Sequence, residues 1–594
     1  MFRHTFCLAV LMGLCFAFFT PAAWADDASQ YEYCVLYGGN MSDADAHRFS
    51  TNLYYHGTNG TWWGQTQWSL ASDERDVNHW DLTTGYPPVD PYRYGNMSDL
   101  IYYSGHGYPN GVQFWNPVTG SRELDKGKPP GTPPFMPDNL GTKELLFIGG
   151  EAARWEIGMD WAGTNRTNSR WDDDPEWVFM ASCSQLDSTN YSRRNYARTM
   201  LGDPRRLHAI WSYRAGAPDD DVDVNVVDDY FYYAGWGRSN RYAWLNANDK
   251  NRNYNAAGLV HRSAEYEGLP PVAPLDPDSP VGSTPDIVYH YMWGNSSQPV
   301  AVNNSPAKAV LAWLAKLIRG EEAHAASKPI VFVGRDTVYR LETALPEIRD
   351  VPPVITHPTV QDWLAEDAMS VLGPRSTEVE PPLPDAKYRT RLGERGVVRV
   401  WDSGAMEFLS ATEARQPVTL EESDVVKIAE EYVEQHGGMP ADVGRTEVRA
   451  YASASIDVDT GDLGPETIQE YVVTFTREVG GLEVSGICPD SITVVVGADG
   501  VECYRRQWRQ TLGFDRDNPS AVRITPQQAL EVLVAQGDYC RNQPSELAIT
   551  AIDLVYYSKA PELLQEAMLP AWRIRFRDAD DFFVNALTGR PMHE

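Results

Sequence analysis

Two short apolar runs in this chain each stop at a small residue and a reactive side chain. The first, Asp99-Leu-Ile-Tyr-Tyr-Ser-Gly-His-Gly107, ends at His106; the second, Trp177-Val-Phe-Met-Ala-Ser-Cys-Ser184, ends at Cys183. A thiol attacks a carbonyl only as the thiolate, and a neighbouring imidazole both promotes that form and can deliver a proton to the leaving amine. The oxyanion formed needs two fixed donors, and the backbone N–H groups of Gly107 and Cys183, at turns following strands, would supply them. Gly105 and Gly107 flank His106 and allow a sharp turn with close approach of a substrate backbone. In an open α/β sheet such groups gather at the carboxyl ends of parallel strands, so the two segments can meet although they are distant in sequence.

The elements around these runs alternate. A buried strand over 31–37 leads through Gly38-Gly39-Asn40 into a helix over 43–55 capped by Ser42 or Asp43. Residues 57–98 and 116–141 read as long connections, with a strand over 144–148 and a helix over 151–161 before the strand aimed at Cys183. Then come a helix over 190–201, a strand over 207–213, helices over 222–234 and 239–248, a proline-rich linker over 269–285, and a last edge strand over 287–292. Strand and helix in turn predict a mostly parallel sheet covered on both faces, an α/β/α sandwich spanning 26–296.

The second half has another texture. Residues 297–404 form a linker and β-rich connecting segment, with strands over 328–340 and proline-bearing stretches over 351–358 and 373–384. From 405 a pattern of helix, extended strand and hairpin occurs twice. The first copy, within 405–512, has a helix over 423–436, strands over 469–477, 479–484 and 491–496, and a turn at Asp499-Gly500 into 501–505, a strong hairpin signal. The second, within 513–594, has a helix over 525–536 and strands over 551–557, 570–576 and 581–589. An α+β arrangement, with a helix packed on an antiparallel sheet, satisfies both copies.

Residues 1–25 have the layout of a cleavable export signal: Arg3 and His4, an apolar run to Phe19, and Ala23-Trp-Ala25 before Asp26. Leu14 ahead of Cys15, and the apolar run beyond, argue against a lipid-anchored cysteine. The mature chain is expected outside the cytoplasm, secreted, periplasmic or at the cell surface, with no membrane span. The net charge of −31 disfavours nucleic acid and suits a cationic substrate or a divalent metal. Five cysteines remain after the signal: Cys34, Cys183, Cys488, Cys503 and Cys540. An odd count cannot pair fully within one molecule, and the three late cysteines can bridge among themselves, which leaves Cys183 for chemistry.

Asp219, Asp220, Asp221 and Asp223 precede or begin a helix and suit a cationic side chain or calcium; Trp171-Asp-Asp-Asp174 is a second acidic run near the Cys strand. The oxygen-rich stretch 457–462 lacks the closing Glu of a calcium loop, and His47, His56, His79 and His208 show no metal-ligand spacing. The thiol chemistry requires no cofactor, and calcium is the one ion the acidic clusters suggest.

Thr476-Arg-Glu-Val-Gly-Gly-Leu-Glu-Val484 through Asp499-Gly500 resembles the propeptide modules of secreted metallopeptidases, and Leu569-Pro-Ala-Trp572 with Val584-Asn-Ala-Leu-Thr-Gly589 resembles the related PepSY module. That resemblance implies a regulatory or inhibitory role, through contact with the N-terminal domain or in trans on another exported peptidase; no His-Glu-x-x-His occurs in the chain. The strand ending in His106-Gly107 and the later strand ending in Cys183 resemble the caspase, legumain and gingipain group of cysteine peptidases. The resemblance implies a caspase-like fold, His106 as catalytic histidine, Cys183 as nucleophile, Gly107 as an oxyanion-hole donor, and a peptide or protein substrate. Ser182 stands where that group most often has Ala. The competing expectation is an inactive exported binding protein on the same fold, using aromatic-rich loops that carry Trp62, Trp63, Trp68, Trp80 and Trp115.

Overall fold

The computed structural model describes residues 33–38, 44–56, 67–69, 100–105, 107–108, 111–112, 176–186, 193–194, 196–197, 207–218, 220–269, 286–293, 330–333, 338–347, 351–356, 370–383, 386–486, 488–515, 522–536, 546–576 and 581–592. The expected signal, the strand over 144–148 and the helix over 151–161 lie outside them. So do Trp171 to Asp174 and Trp62, Trp63, Trp80 and Trp115. The fold is α/β, with few helices on a large mixed sheet.

In chain order the first part runs β1 (Tyr33–Gly38), α1 (Ala44–Tyr55), β2 (Gln67–Ser69), β3 (Leu100–Gly105), β4 (Gly107–Tyr108), β5 (Gly111–Val112), β6 (Trp177–Ala181), β7 (Ala209–Tyr213), α2 (Asp220–Gly235), α3 (Asn240–Lys250), β8 (Ala256–His261) and β9 (Ile287–Trp293). Strands β2, β1, β3, β6 and β7 are parallel neighbours in that order. From β7 onward the sheet turns antiparallel, through β8 to β9. The described residues of β3 and β6 are buried throughout, which fits an apolar run covered on both faces. At the change of direction Gly258 lies opposite Trp211, where a Cβ would stand 2.1 Å from the indole; the glycine makes room for the ring.

The second part comprises β10 (Ile330–Val333), β11 (Val338–Leu341), β12 (Val354–Thr356), β13 (Thr377–Val379), β14 (Tyr388–Gly393), β15 (Gly396–Trp401), β16 (Met406–Ser410), α4 (Glu422–Gln435), β17 (Val443–Ser455), β18 (Thr467–Val479), β19 (Leu482–Gly486), β20 (Ser491–Gly497), β21 (Gly500–Gln507), β22 (Thr511–Phe514), α5 (Pro526–Ala535), β23 (Glu546–Ser558), β24 (Ala567–Phe576) and β25 (Phe582–Asn585). Helix α4 buries Val425, Ala429 and Val433, a four-residue spacing that aligns one stripe on β18, β20 and β21. Thr525 and Gln528 form a capping box at the start of α5, with Pro526 in the first turn. That helix closes a core with β23, β24 and β25.

One expectation is corrected here. The strand over 287–292 is not an edge: β9 pairs with β8 on one side and, antiparallel, with β17 on the other. The sheet therefore continues through β17, β18, β20, β21, β16, β15 and β14 to β13. Helices α2 and α3 lie across this junction, and one core joins Tyr230, Phe231 and Trp244 to Leu409, Tyr451, Val472, Val495 and Cys503.

Buried ions stitch the same contact. Arg399 on β15 bonds Asp229 on α2 at 2.8 Å and also Glu407 on β16, which accepts the Tyr233 hydroxyl at 2.5 Å. Burial alone would raise the Glu407 carboxyl, but Arg399, Lys250 and Arg505, with the Tyr233 hydroxyl, hold it down to about 2. Asp249 at the end of α3 receives Arg449 from β17 at 2.9 Å and Arg505 from β21 at 3.2 Å.

Candidate functional site

The site region is the carboxyl edge of the parallel strands. Register aligns Ser104 of β3 with Tyr37 of β1 and with Ala181 of β6, so these strands end side by side. Gly105, paired with Gly38, has φ 154°, a conformation that favours glycine, and it starts the turn. His106 lies outside the described residues. Gly107 opens β4 and pairs with Val112 of β5 in a small hairpin.

Past β6 the chain makes a tight turn over 182–186. The Ser182 N–H donates to the Met180 carbonyl at 2.8 Å, and the Ser212 hydroxyl reaches the same oxygen at 2.7 Å. Ser184 adopts φ 58° and donates its N–H to Ala215 at 2.7 Å, while Leu186 donates to Tyr213 at 3.0 Å. The turn is thus pinned to β7 and its exit. Cys183 is half-buried, and its Sγ accepts the Ala217 N–H at 3.3 Å. Gln185 donates to the Cys183 carbonyl and accepts the Tyr196 hydroxyl.

Beneath this edge is a buried acidic and phenolic cluster. Asp45, in the first turn of α1, is 2% exposed and accepts the Tyr102 hydroxyl at 2.8 Å. Burial raises its carboxyl, opposed by hydrogen bonds from Ser104 and Tyr102. Asp223, in the first turn of α2, is 5% exposed. Tyr213 is pushed well above the usual phenol range by burial, then by the charges of Asp223 and Asp45, with a smaller contribution from Cys183. The Tyr102 phenol is raised by burial and by the same two carboxyls. Asp45, Asp223, Tyr102, Tyr213 and Cys183 therefore share one electrostatic environment.

Of the acidic run, Asp223 belongs to this cluster, Asp220 and Asp221 begin α2, and Asp219 lies outside the described residues. Asp45, Tyr102, Ser104 and Tyr213 escaped the sequence reading. The signal for Ser104 was its place before Gly105; that for Asp45 was its place in the first turn after the β1 turn. Both are visible only once strand order is known.

Cys488 and Cys503 are both free thiols, so the late cysteines do not bridge through this pair. Cys503 packs in the core under α2 and α3, whereas Cys488 lies in the β19 to β20 connection, where its carbonyl accepts Gln507 and Ser558. Burial pushes the Cys503 thiol up to about 12 and the Cys488 thiol to about 11. Cys540 lies outside the described residues, and Cys34 sits on β1.

Among the described residues no group of three or more His, Cys, Asp or Glu is arranged to hold a metal ion. In the exposed acidic loop at 457–462, Asp457 Oδ1 caps the turn, accepting the N–H of Asp459 and of Thr460, each at 2.9 Å. His208 is buried against Glu267 at 2.7 Å. No helix among the described residues is long and apolar enough to cross a membrane.

No curated protein matches the chain. Among the solved structures that match are two of low similarity. An uncharacterized protein from Eubacterium rectale ATCC 33656 is 10% identical, covering 45% of this chain and 94% of its own, with a TM-score of 0.27. YycH from Bacillus subtilis is 11% identical, covering 55% and 78%, with a TM-score of 0.21. A family model described as a domain of unknown function, DUF6345, matches residues 24–268, the stretch that contains β1 to β8 and the Cys183 turn.

Proposed function

We propose that the protein is an exported cysteine endopeptidase of the caspase, legumain and gingipain type. In this reading its N-terminal part is a caspase-like sandwich and its C-terminal modules are of the propeptide and PepSY kind. His106 would take the thiol proton from Cys183 and return it to the leaving amine, and the Gly107 and Cys183 N–H groups would hold the oxyanion. The carrying observation is the in-register pairing of β3 with β6, whose carboxyl ends lead directly into the Ser-Gly-His-Gly and Ala-Ser-Cys segments. The acidic run at the start of α2, with Asp220, Asp221 and Asp223, supports a cationic side chain at the cleaved bond. The helix-on-sheet pairs of α4 and α5 support the module assignment.

A second reading, an inactive binding protein, is favoured by those same carboxyls, which suit a bound cation better than a neighbouring thiolate. A peptidyl acyloxymethyl ketone ending in Lys or Arg separates the two. The peptidase reading expects labelling of the full chain at Cys183, lost in Cys183→Ala and reduced at least tenfold in His106→Ala. Labelling unchanged in His106→Ala, or absent with all peptides, would sink the dyad.

A further inference from the structure

The sheet face opposite α4 is apolar only where helices cover it. Tyr451, Val472, Val495 and Cys503 lie under α2 and α3. Beyond the end of α3 at Lys250, the same strands carry Arg449, Thr474, Thr493 and Arg505, which floor a cleft of about 240 Å³. Its far wall is β24 of the last module, with Arg573 and Arg575.

Eight Lys and Arg side chains line this cleft against five Asp and Glu, and with Asp229 and Asp553, which pair Lys250 and Arg575 from behind the lining, one positive charge remains in excess in a chain whose net charge is −31. The local excess is therefore opposite in sign to the whole molecule. The arginine forks are fixed from behind: Arg449 donates to Asp249 at 2.9 Å, and Arg573 grips both oxygens of Glu483 at 2.8 and 3.0 Å. Each still has a buried Nε without a hydrogen-bond acceptor, and that of Arg573 lies 3.9 Å from Asp581. Thr474 and Thr493, whose hydroxyls are 3.3 Å apart, add polar groups to the floor. Preset guanidinium forks beside hydroxyls are the donor set that recognises a compact oxyanion.

We propose that this cleft binds a small oxyanion, a phosphate or a carboxylate carried on a compact molecule. A cleft of about 240 Å³ has room for such a group and its immediate substituent. At the rim Arg445 pairs with Glu447 and Arg575 with Asp553 at 2.7 Å; the two arginines are 64% and 44% exposed, so the fold does not depend on burying them. Glu447, 30% exposed, competes with the ligand for the arginines.

The test is calorimetric titration of the full chain with inorganic phosphate and, separately, citrate, in chloride buffer at constant ionic strength. Saturable binding is expected, weakened at least tenfold in Arg445→Gln plus Arg575→Gln and tightened several-fold in Glu447→Gln. The better ligand of the two tells phosphate from carboxylate. Arg262→Gln, which removes an exposed arginine paired with Asp286, should leave binding unchanged. Absence of saturable heat with both anions, an equal effect from added chloride, or affinity indifferent to the rim variants would overturn the proposal.

Discussion

Replacing Glu502 by Gln should stabilise the protein at alkaline pH and leave it unchanged in acid. Glu502 on β21 is 3% exposed and shares a buried cluster with Glu413 and Glu470. Arg241, at the start of α3, bonds Glu413 at 2.8 Å and lies 3.3 Å from Glu470; Ser239 donates both its N–H and its hydroxyl to Glu413. Arg238 also faces the group. Burial, then repulsion from Glu470 and Glu413, pushes the Glu502 carboxyl up to about 9, with Arg238 and Arg241 opposing. A carboxyl raised on folding contributes most below its unfolded value of about 4.3 and loses that contribution as pH rises through the folded one. Over that window each pH unit costs the folded state about 1.4 kcal/mol per proton held.

Because Glu470 is raised by the same burial, the proton is shared, and the expected gain for Glu502→Gln is about 2–4 kcal/mol at pH 8. Gln retains the carbonyl that accepts the Ala414 N–H at 3.3 Å. The assay is the difference in apparent melting temperature between variant and parent, at one scan rate, from pH 4.5 to 9.5. The difference should start near zero and grow to about 2–3 °C before levelling near pH 9. A difference that stays constant with pH, or a variant less stable than its parent at pH 8, would refute the reasoning.

Arg399→Met should cost about 3–5 kcal/mol, because it leaves Glu407 and Asp229 buried without their shared cation. Since the depressed Glu407 carboxyl contributes stability above about pH 4.3 that is lost as pH falls towards 2, the parent should outlast this variant most clearly near neutral pH, read by urea unfolding. Gly258→Ala forces a Cβ into the Trp211 ring and should cost about 1–3 kcal/mol or more, measured by near-ultraviolet circular dichroism on heating.

Much of the local structure was legible in residues. The runs ending at Gly105 and Ala181 are apolar, β-rich and cut by small residues, and they form β3 and β6 close to the expected bounds. The four-residue spacing of Val425, Ala429 and Val433 specifies α4, and Asp499-Gly500 specifies the hairpin between β20 and β21. Strand β17 was not among the expected elements, and its Arg445, Glu447 and Arg449 with several alanines and serines give little apolar alternation.

Sequence alone determined the short-range elements, because turn chemistry and hydrophobic period act within a few residues. It also supplied the chemistry offered at each strand end, a thiol in one case and a His-Gly in the other. Only tertiary structure decided which strands lie together, for pairing depends on partners hundreds of positions away. Helix α3 shows the limit: its run from Asn240 to Asp249 is rich in Asn, Arg and Asp, yet all of it is buried. Arg241, Asn246 and Asp249 among them bond Glu413, Tyr451, Arg449 and Arg505 from the second half of the chain. Likewise β9 is interior because β17 supplies hydrogen bonds along its second edge, a fact that no pattern within 287–293 can carry.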